Sequence, residues 1–491
     1  MLYLYIDDSA SDTHDIIKTV EGLEDHISIL ADDDAAKQVP YLRISDGMIY
    51  WPANWVNTEP PLLFPPTPFN TQNLLAIILT KLGHYELALS YDFRNDLRWI
   101  VESYGNLIEG SWITTSPEEN TYYTLHNKAI LRHYNGMEDN GLSLADMYKK
   151  ALDMAPDADA RAFTARQYAT YLSDGQQVEQ AEQLLRDSLE ASITDQSRYA
   201  IQLDLAGLLT NQISIPYDMQ MVEELKGIIR DTLQYYENIE DDINVAMLLV
   251  HASEVANVTG SYSEALGYIN RAIEIYSTEE ITEFLANAYL RKGMLLYTWA
   301  QDGNPQFYKT AVETYQEALK IFTKEEAPEI FAEIHHYLGV IYAEMPTDPE
   351  KKAIWSAVSA SSFKESLAYF DREEYPYQHA LILNNYANAL MKYPESKHSD
   401  NYEKAISYLV EALEIRTPEA YPLERTHTLL NYLEACWRAN NVNQNMERVR
   451  HKDMMKKARE IMSLTDDDEV ISQAEGHISR LKALGNTLMV L

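Results

Sequence analysis

The residues able to do chemistry are few and scattered. His335 and His336 are adjacent, with His379 and His427 further along the chain. Imidazoles brought together from neighbouring segments could hold a transition metal or move protons. No Cys/His ligand spacing accompanies them, so groove or surface positions are the simpler reading. Cys436 is the one cysteine, which rules out an internal disulfide or a redox pair. Beside Trp437 in a helical pattern, it reads as a small core residue. Asp32-Asp33-Asp34 lacks the further ligands that calcium requires and reads as a solvated loop. There is no glycine-rich phosphate loop, no Gly-x-Ser-x-Gly elbow and no nucleophile–base constellation. The expectation is a chain without catalysis, metal or cofactor of its own.

What could position a binding surface is a repeat. Four segments align without gaps, beginning Arg271-Ala-Ile-Glu-Ile-Tyr, Glu317-Ala-Leu-Lys-Ile-Phe, Glu365-Ser-Leu-Ala-Tyr-Phe and Glu411-Ala-Leu-Glu-Ile-Arg. Their starts lie 46, 48 and 46 residues apart, a period that builds a stacked array rather than one closed core. Each carries two small residues seven apart: Ala265 and Ala272, Ala311 and Ala318, Ser359 and Ser366, Ala405 and Ala412. Between them sits a large apolar residue: Ile269, Tyr315, Phe363 or Leu409. Seven residues is two helical turns, so all three share a face and let a neighbouring helix approach closely. Each has an upstream helix with its own small residue, Ser253, Gly293, Gly339 or Ala387, making every unit a helix pair.

The pattern resembles the tetratricopeptide repeat, most specifically at Gly260–Ile275 and Tyr402–Ile415. These units exceed the usual 34 residues of that family. Part of the excess lies in turns with Pro and polar residues, beginning at Gln301, Met345 and Tyr393. The long repeats resemble the bacterial arrays fused or paired with caspase-like proteases and signalling enzymes. The resemblance implies an all-α, right-handed α-solenoid of stacked helix hairpins, here with a small β-containing N-terminal extension. It also implies an inner wall, built by the upstream helices, that binds peptides. On that wall the expected partner-binding residues are Leu290, Met294, Tyr297, His336, Asn384, Asn388, Met391, Glu434 and Trp437, with Val340, Ala343 and Leu430 among them. Family members that grip a carboxylate tail use Lys or Arg with Asn at these places. Here Asn is present without either, so that grip is not expected.

Four segments are expected along the chain. Residues 1–70 hold a strand at Met1–Ile6, a hairpin turning at Asp46-Gly47 within Tyr41–Trp51, and a run from Pro60 to Phe69 that is extended and forms no ladder. That run reads as a connector over the first helix pair. Residues 71–241 hold degenerate pairs, with 91–116 fitting no unit, and residues 242–440 the regular repeats. Residues 441–491 hold a long basic helix, with Arg448, Arg450, Lys452, Lys456, Lys457 and Arg459, then a capping helix near Val470–Leu484.

The net charge of −36 opposes direct nucleic-acid binding; it reads first as solubility of a long, large-surfaced array, and as attraction to a basic protein partner second. The first residues show no signal-peptide pattern, and no apolar stretch would span a bilayer, so a cytoplasmic, membrane-free protein is expected. Together these features predict a protein–protein interaction scaffold, adaptor or regulatory subunit. The alternative is a sensor that binds a small molecule or peptide and regulates a partner such as a caspase-like protease.

Overall fold

In the repeats, the connections that lead into three of the upstream helices are each tied by one side chain and closed by a proline. Thr323, Asp371 and Thr417 stand at the same place in three successive connections. Each side chain accepts a main-chain N–H two or three residues on: from Glu326, from Glu373 and Glu374, and from Ala420. Each carbonyl takes the N–H four residues on, from Ala327, Tyr375 and Tyr421. The next residue is Pro328, Pro376 or Pro422 at the first helical position, where the missing N–H has no intrahelical partner to lose. These local rules fix where each upstream helix starts, and therefore which residues face its neighbours.

The computed structural model describes residues 2–6, 12–30, 41–51, 53, 55, 60–109, 117–135, 142–191, 193–213, 216–394, 400–440 and 443–490. Asp32–Asp34 and most of the turn after Tyr393 lie outside these. The chain divides into two compact units, Met1–Val255 and Ala256–Leu491.

Unit 1 begins with a five-stranded sheet: β1 (Leu2–Ile6), β2 (Ile27–Leu30), β3 (Tyr41–Ser45), β4 (Met48–Tyr50) and β5 (Thr67–Pro68), ordered β2-β1-β3-β4-β5. Helix α1 (Thr13–Ile17) lies between β1 and β2. The hairpin is where the sequence places it. Asp46 and Gly47 have φ of 52° and 72°, both left-handed, as a tight mirror-image turn requires. The proline run departs from expectation, because Thr67 and Pro68 pair with Ile49 and Met48. An edge strand this short tolerates a residue without an N–H. The run touches the first helix pair where Asn73 Nδ2 donates to the Pro68 carbonyl, and it also meets Asn127 and His126 further along the chain. The helices that follow are α2 (Thr71–Lys81), α3 (Tyr85–Leu89), α4 (Asn95–Glu109), α5 (Tyr122–Asn135), α6 (Leu144–Met154), α7 (Ala158–Asp174), α8 (Val178–Leu189), α9 (Asp195–Gln212), α10 (Met219–Asn238) and α11 (Asp242–Val258), in which the division between units falls. Among the described residues, the 91–116 stretch thus contributes one helix, α4.

Unit 2 continues with α12 (Tyr262–Thr278), α13 (Thr282–Gln301), α14 (Phe307–Ala318), α15 (Pro328–Glu344), α16 (Pro349–Tyr369), α17 (Pro376–Lys392), α18 (Asn401–Ile415), α19 (Pro422–Arg438), α20 (Gln444–Ile461) and α21 (Asp468–Val490). The eight small residues and four large ones of the repeat are all fully buried. A β-carbon on Gly293 would lie 2.9 Å from the Tyr315 ring, and one on Gly339 would lie 3.0 Å from Phe363. Large residues therefore fill the space that small residues leave, as the spacing predicts. Both terminal helices form. Asn443 caps α20 through Met446 N–H, and Asp467 accepts from the first N–H groups of α21.

Candidate binding groove

The upstream helices of unit 2 are joined by a polar ladder. The ninth residue of one bonds the tenth residue of the next. Asn385 of α17 donates to His336 Nε2 of α15 at 2.9 Å, and Asn431 of α19 donates to Asn384 Oδ1 at 3.0 Å. Asn384 reaches back to Asn385 Oδ1 at 3.4 Å, which links three helices in one chain of amides. The same relation recurs within unit 1, where Arg166 of α7 holds Asp204 of α9, Nη2 lying 2.9 Å from Oδ1. Such bonds set the register of helices 47–49 residues apart in sequence and still leave part of each amide for other partners.

A cleft of about 510 Å³ opens along this wall. Tyr297, His336, Asn388, Met391 and Glu434 line it, with Val340 and Ala343. Asn388 lines the cleft, and its Oδ1 is buried with no hydrogen-bond partner among the described residues. His336 accepts from Asn385 on Nε2, so its proton sits on Nδ1. Burial pushes the ring pKa down to about 4. Tyr297 donates to Glu344 at 3.2 Å and accepts from Gln301 at 2.7 Å. Burial, with that carboxylate beside it, holds the phenol far above its ordinary pKa.

Five expected residues do not line the cleft, and of these Leu430 packs against the hydrophobic core of its unit. Leu290 is buried in the core, Met294 packs against the same core, and Asn384 is a rung of the ladder. Trp437 is covered by α21: its Nε1–H bonds His477 Nδ1 at 2.9 Å, and the Arg480 guanidinium lies 4.4 Å over its ring. Cations also line the cleft, at places other than those that the carboxylate-gripping family members use. Lys392 and Arg438 both reach it, five positions after Ala387 and Leu433. One further step along each helix reveals them, together with Glu344. Each is already paired, Lys392 with Glu344 at 2.8 Å and Arg438 with Glu434 at 2.6 Å.

Glu344, Lys392, Gln301 and Ala343 also border a second cavity of about 620 Å³ at the turn after α15. Tyr342 and Trp355 stack there with centroids 5.3 Å apart, and Lys352 stands at the rim.

The histidines do not converge. His335 packs on Phe331, and His379 bonds the Phe370 carbonyl and Glu411. Among the described residues no group of three or more His, Cys, Asp or Glu could hold a metal. Burial pushes the Cys436 thiol up to about 11, so little of it is the reactive thiolate near neutrality. Among the described residues no helix is long and apolar enough to cross a membrane. On the basic helix, Arg450 pairs with Glu403 and Lys457 with Asp453.

No family model matches the chain, and no curated protein does. Solved structures do. A signal transduction ATPase with numerous domains from Pyrococcus horikoshii, which carries a tetratricopeptide repeat sensor, is similar over 79% of this chain at 14% identity and a TM-score of 0.50. The match takes in 53% of that protein, so this chain spans about half its length. The human IFIT1 dimer with m7Gppp-AAAA is similar over 84% of this chain and 90% of its own, at 14% identity and a TM-score of 0.46. A Rap protein complexed with competence and sporulation factor is similar over 80% of this chain and 98% of its own, at 11% identity and a TM-score of 0.45. In fold, the chain is an array of helix hairpins of the tetratricopeptide type.

Proposed function

We propose that this protein is a non-enzymatic interaction scaffold, an adaptor or regulatory subunit that takes a protein or peptide along the α13, α15, α17 and α19 wall. The observation that carries this is Asn388. Its Oδ1 is a buried acceptor without a donor among the described residues, and the residue lines a cleft that crosses several repeats. A main-chain N–H of a bound segment would satisfy it, while Met391 and Val340 offer apolar contact and Glu434 a charged edge. The charge of −36 favours a basic partner, whose association would slow as salt rises. The same charge weighs against direct nucleic-acid binding. The segments 1–70, 71–241, 242–440 and 441–491 are proposed as its functional divisions, with binding in the third.

The test is capture of partners by wild type and by Asn388→Ala, read by mass spectrometry, with circular dichroism as the folding control. A folded Asn388→Ala variant that captures as well as wild type, while charge reversals on α20 abolish capture, would move the site to the C-terminal helix. A second reading, a sensor for a small molecule, draws on the adjoining cavity at Tyr342 and Trp355, which has the volume of a ligand site. A thermal-shift screen that finds a ligand whose effect is lost in Trp355→Ala would favour it.

A further inference from the structure

Unit 1 already holds something on its upstream helices, and it belongs to the chain. Trp55 and the run 60–64 lie against α5 and α7. The side chains there hold the main chain of the run and not only its apolar groups. Asn127 grips both main-chain groups of one residue: Leu63 N–H reaches Oδ1, and Nδ2 reaches the Leu63 carbonyl, each at 2.8 Å. His126 Nε2 bonds the Pro61 carbonyl at 2.9 Å, its other nitrogen being held by Thr164. Arg166, the ladder residue of α7, gives Nη1 to the Trp55 carbonyl at 2.9 Å. All three receptor side chains are buried. Leu62, Leu63 and Phe64 are buried too, and the Trp55 ring meets Phe163 edge to face at 5.1 Å. A proline-rich segment suits this capture. Each proline ring fixes its own φ, so the segment has little freedom to lose.

We propose that the α5–α7 face is a peptide-recognition site for a proline-rich apolar segment, filled in cis by the chain's own run 60–64. The site is distinct from the unit 2 cleft and stands whether or not that cleft binds a partner. While the run is seated, the face is closed to any other segment of the same kind.

The probe is a fluorescein-labelled peptide with the sequence of residues 60–70, titrated into the full chain and followed by anisotropy. Wild type should bind it weakly, because the cis segment competes. Leu63→Ser, which weakens the cis segment and leaves the receptor intact, should bind at least tenfold tighter. Adding Asn127→Ala to that variant should remove the gain. A folded Leu63→Ser variant that gains no affinity, or whose gain survives Asn127→Ala, overturns the proposal. Hydrogen exchange on wild type decides the matter even if the variant does not fold. The Leu63 amide, bonded to Asn127, should exchange at least tenfold faster than buried α5 amides such as Ile130, through local release of the run. Exchange of both at one rate would make the run a permanent part of the core and overturn the proposal.

Discussion

Tyr315 occupies the space where Gly293 would carry a β-carbon. The ring lies 2.9 Å from that position and is itself fully buried, so it has no room to withdraw. Gly293→Ala therefore sets two effects against each other. Helix propensity favours alanine by about 1 kcal/mol. Overpacking costs about 1–3 kcal/mol. Net destabilisation is expected at Gly293. Gly267, exposed on α12 with nothing within 4 Å of its β-carbon position, should show the opposite sign, a gain of about 0.5–1 kcal/mol. Denaturant melts of the two variants would check both signs, and equal effects would refute the packing account.

The second prediction concerns the paired small residues. Ala311 and Ala405 are fully buried between helices. Leucine at either should destabilise by about 1–3 kcal/mol, since the added methylenes must separate α14 from α13 or α18 from α17. An unchanged melting temperature in both variants would contradict the register.

Acid should loosen the molecule through two buried histidines. His126 and His336 both have their pKa pushed down to about 4 by burial, against 6.5 when unfolded. A group with a depressed folded pKa releases its proton more readily in the fold than outside it. For a histidine, the stability is complete above 6.5 and is lost as pH falls from 6.5 towards 4. Each should account for about 3 kcal/mol over that window. Protonated His336 could no longer accept from Asn385, so the ladder would break there. Melting temperature measured from pH 8 to 4 should fall below about pH 6.5. His336→Gln, which keeps an acceptor, should flatten that fall while changing little at pH 8.

How much of this was legible in the sequence depends on the range of the interaction. The small–large–small spacing of Ala311, Tyr315 and Ala318 lies within two helical turns, so the sequence displays it directly. The Asp46-Gly47 turn is equally local. The His336–Asn385 and Asn384–Asn431 rungs join residues 49 and 47 apart, and no local pattern marks them. Only the observation that ladder residues take the same position in each helix could have found them. Trp437 looked like a hot spot because its helix faces the wall. What covers it, His477 and Arg480, comes from a terminal helix whose docking has no counterpart in the repeat. The proline run signalled that it was extended, yet not that Asn127, 64 residues away, would hold it.

The last prediction separates binding from stability at one atom. Asn388 Oδ1 is buried without a donor among the described residues, which costs the free protein about 1–3 kcal/mol of lost hydration. Removing an acceptor that only a partner satisfies should therefore leave the free fold as stable or more so, and weaken the complex. Asn388→Ala should keep or raise the melting temperature while lowering partner affinity by about tenfold, the effect of losing one hydrogen bond made only on binding. Trp437→Phe should behave in the reverse way. It loses the bond to His477 and loosens α21, so the melting temperature falls and partner affinity is unchanged. Thermal melts beside quantitative pull-downs of the two variants would check the contrast. If Asn388→Ala instead melts lower and binds normally, the amide belongs to the packing between helices and the cleft is not the binding surface.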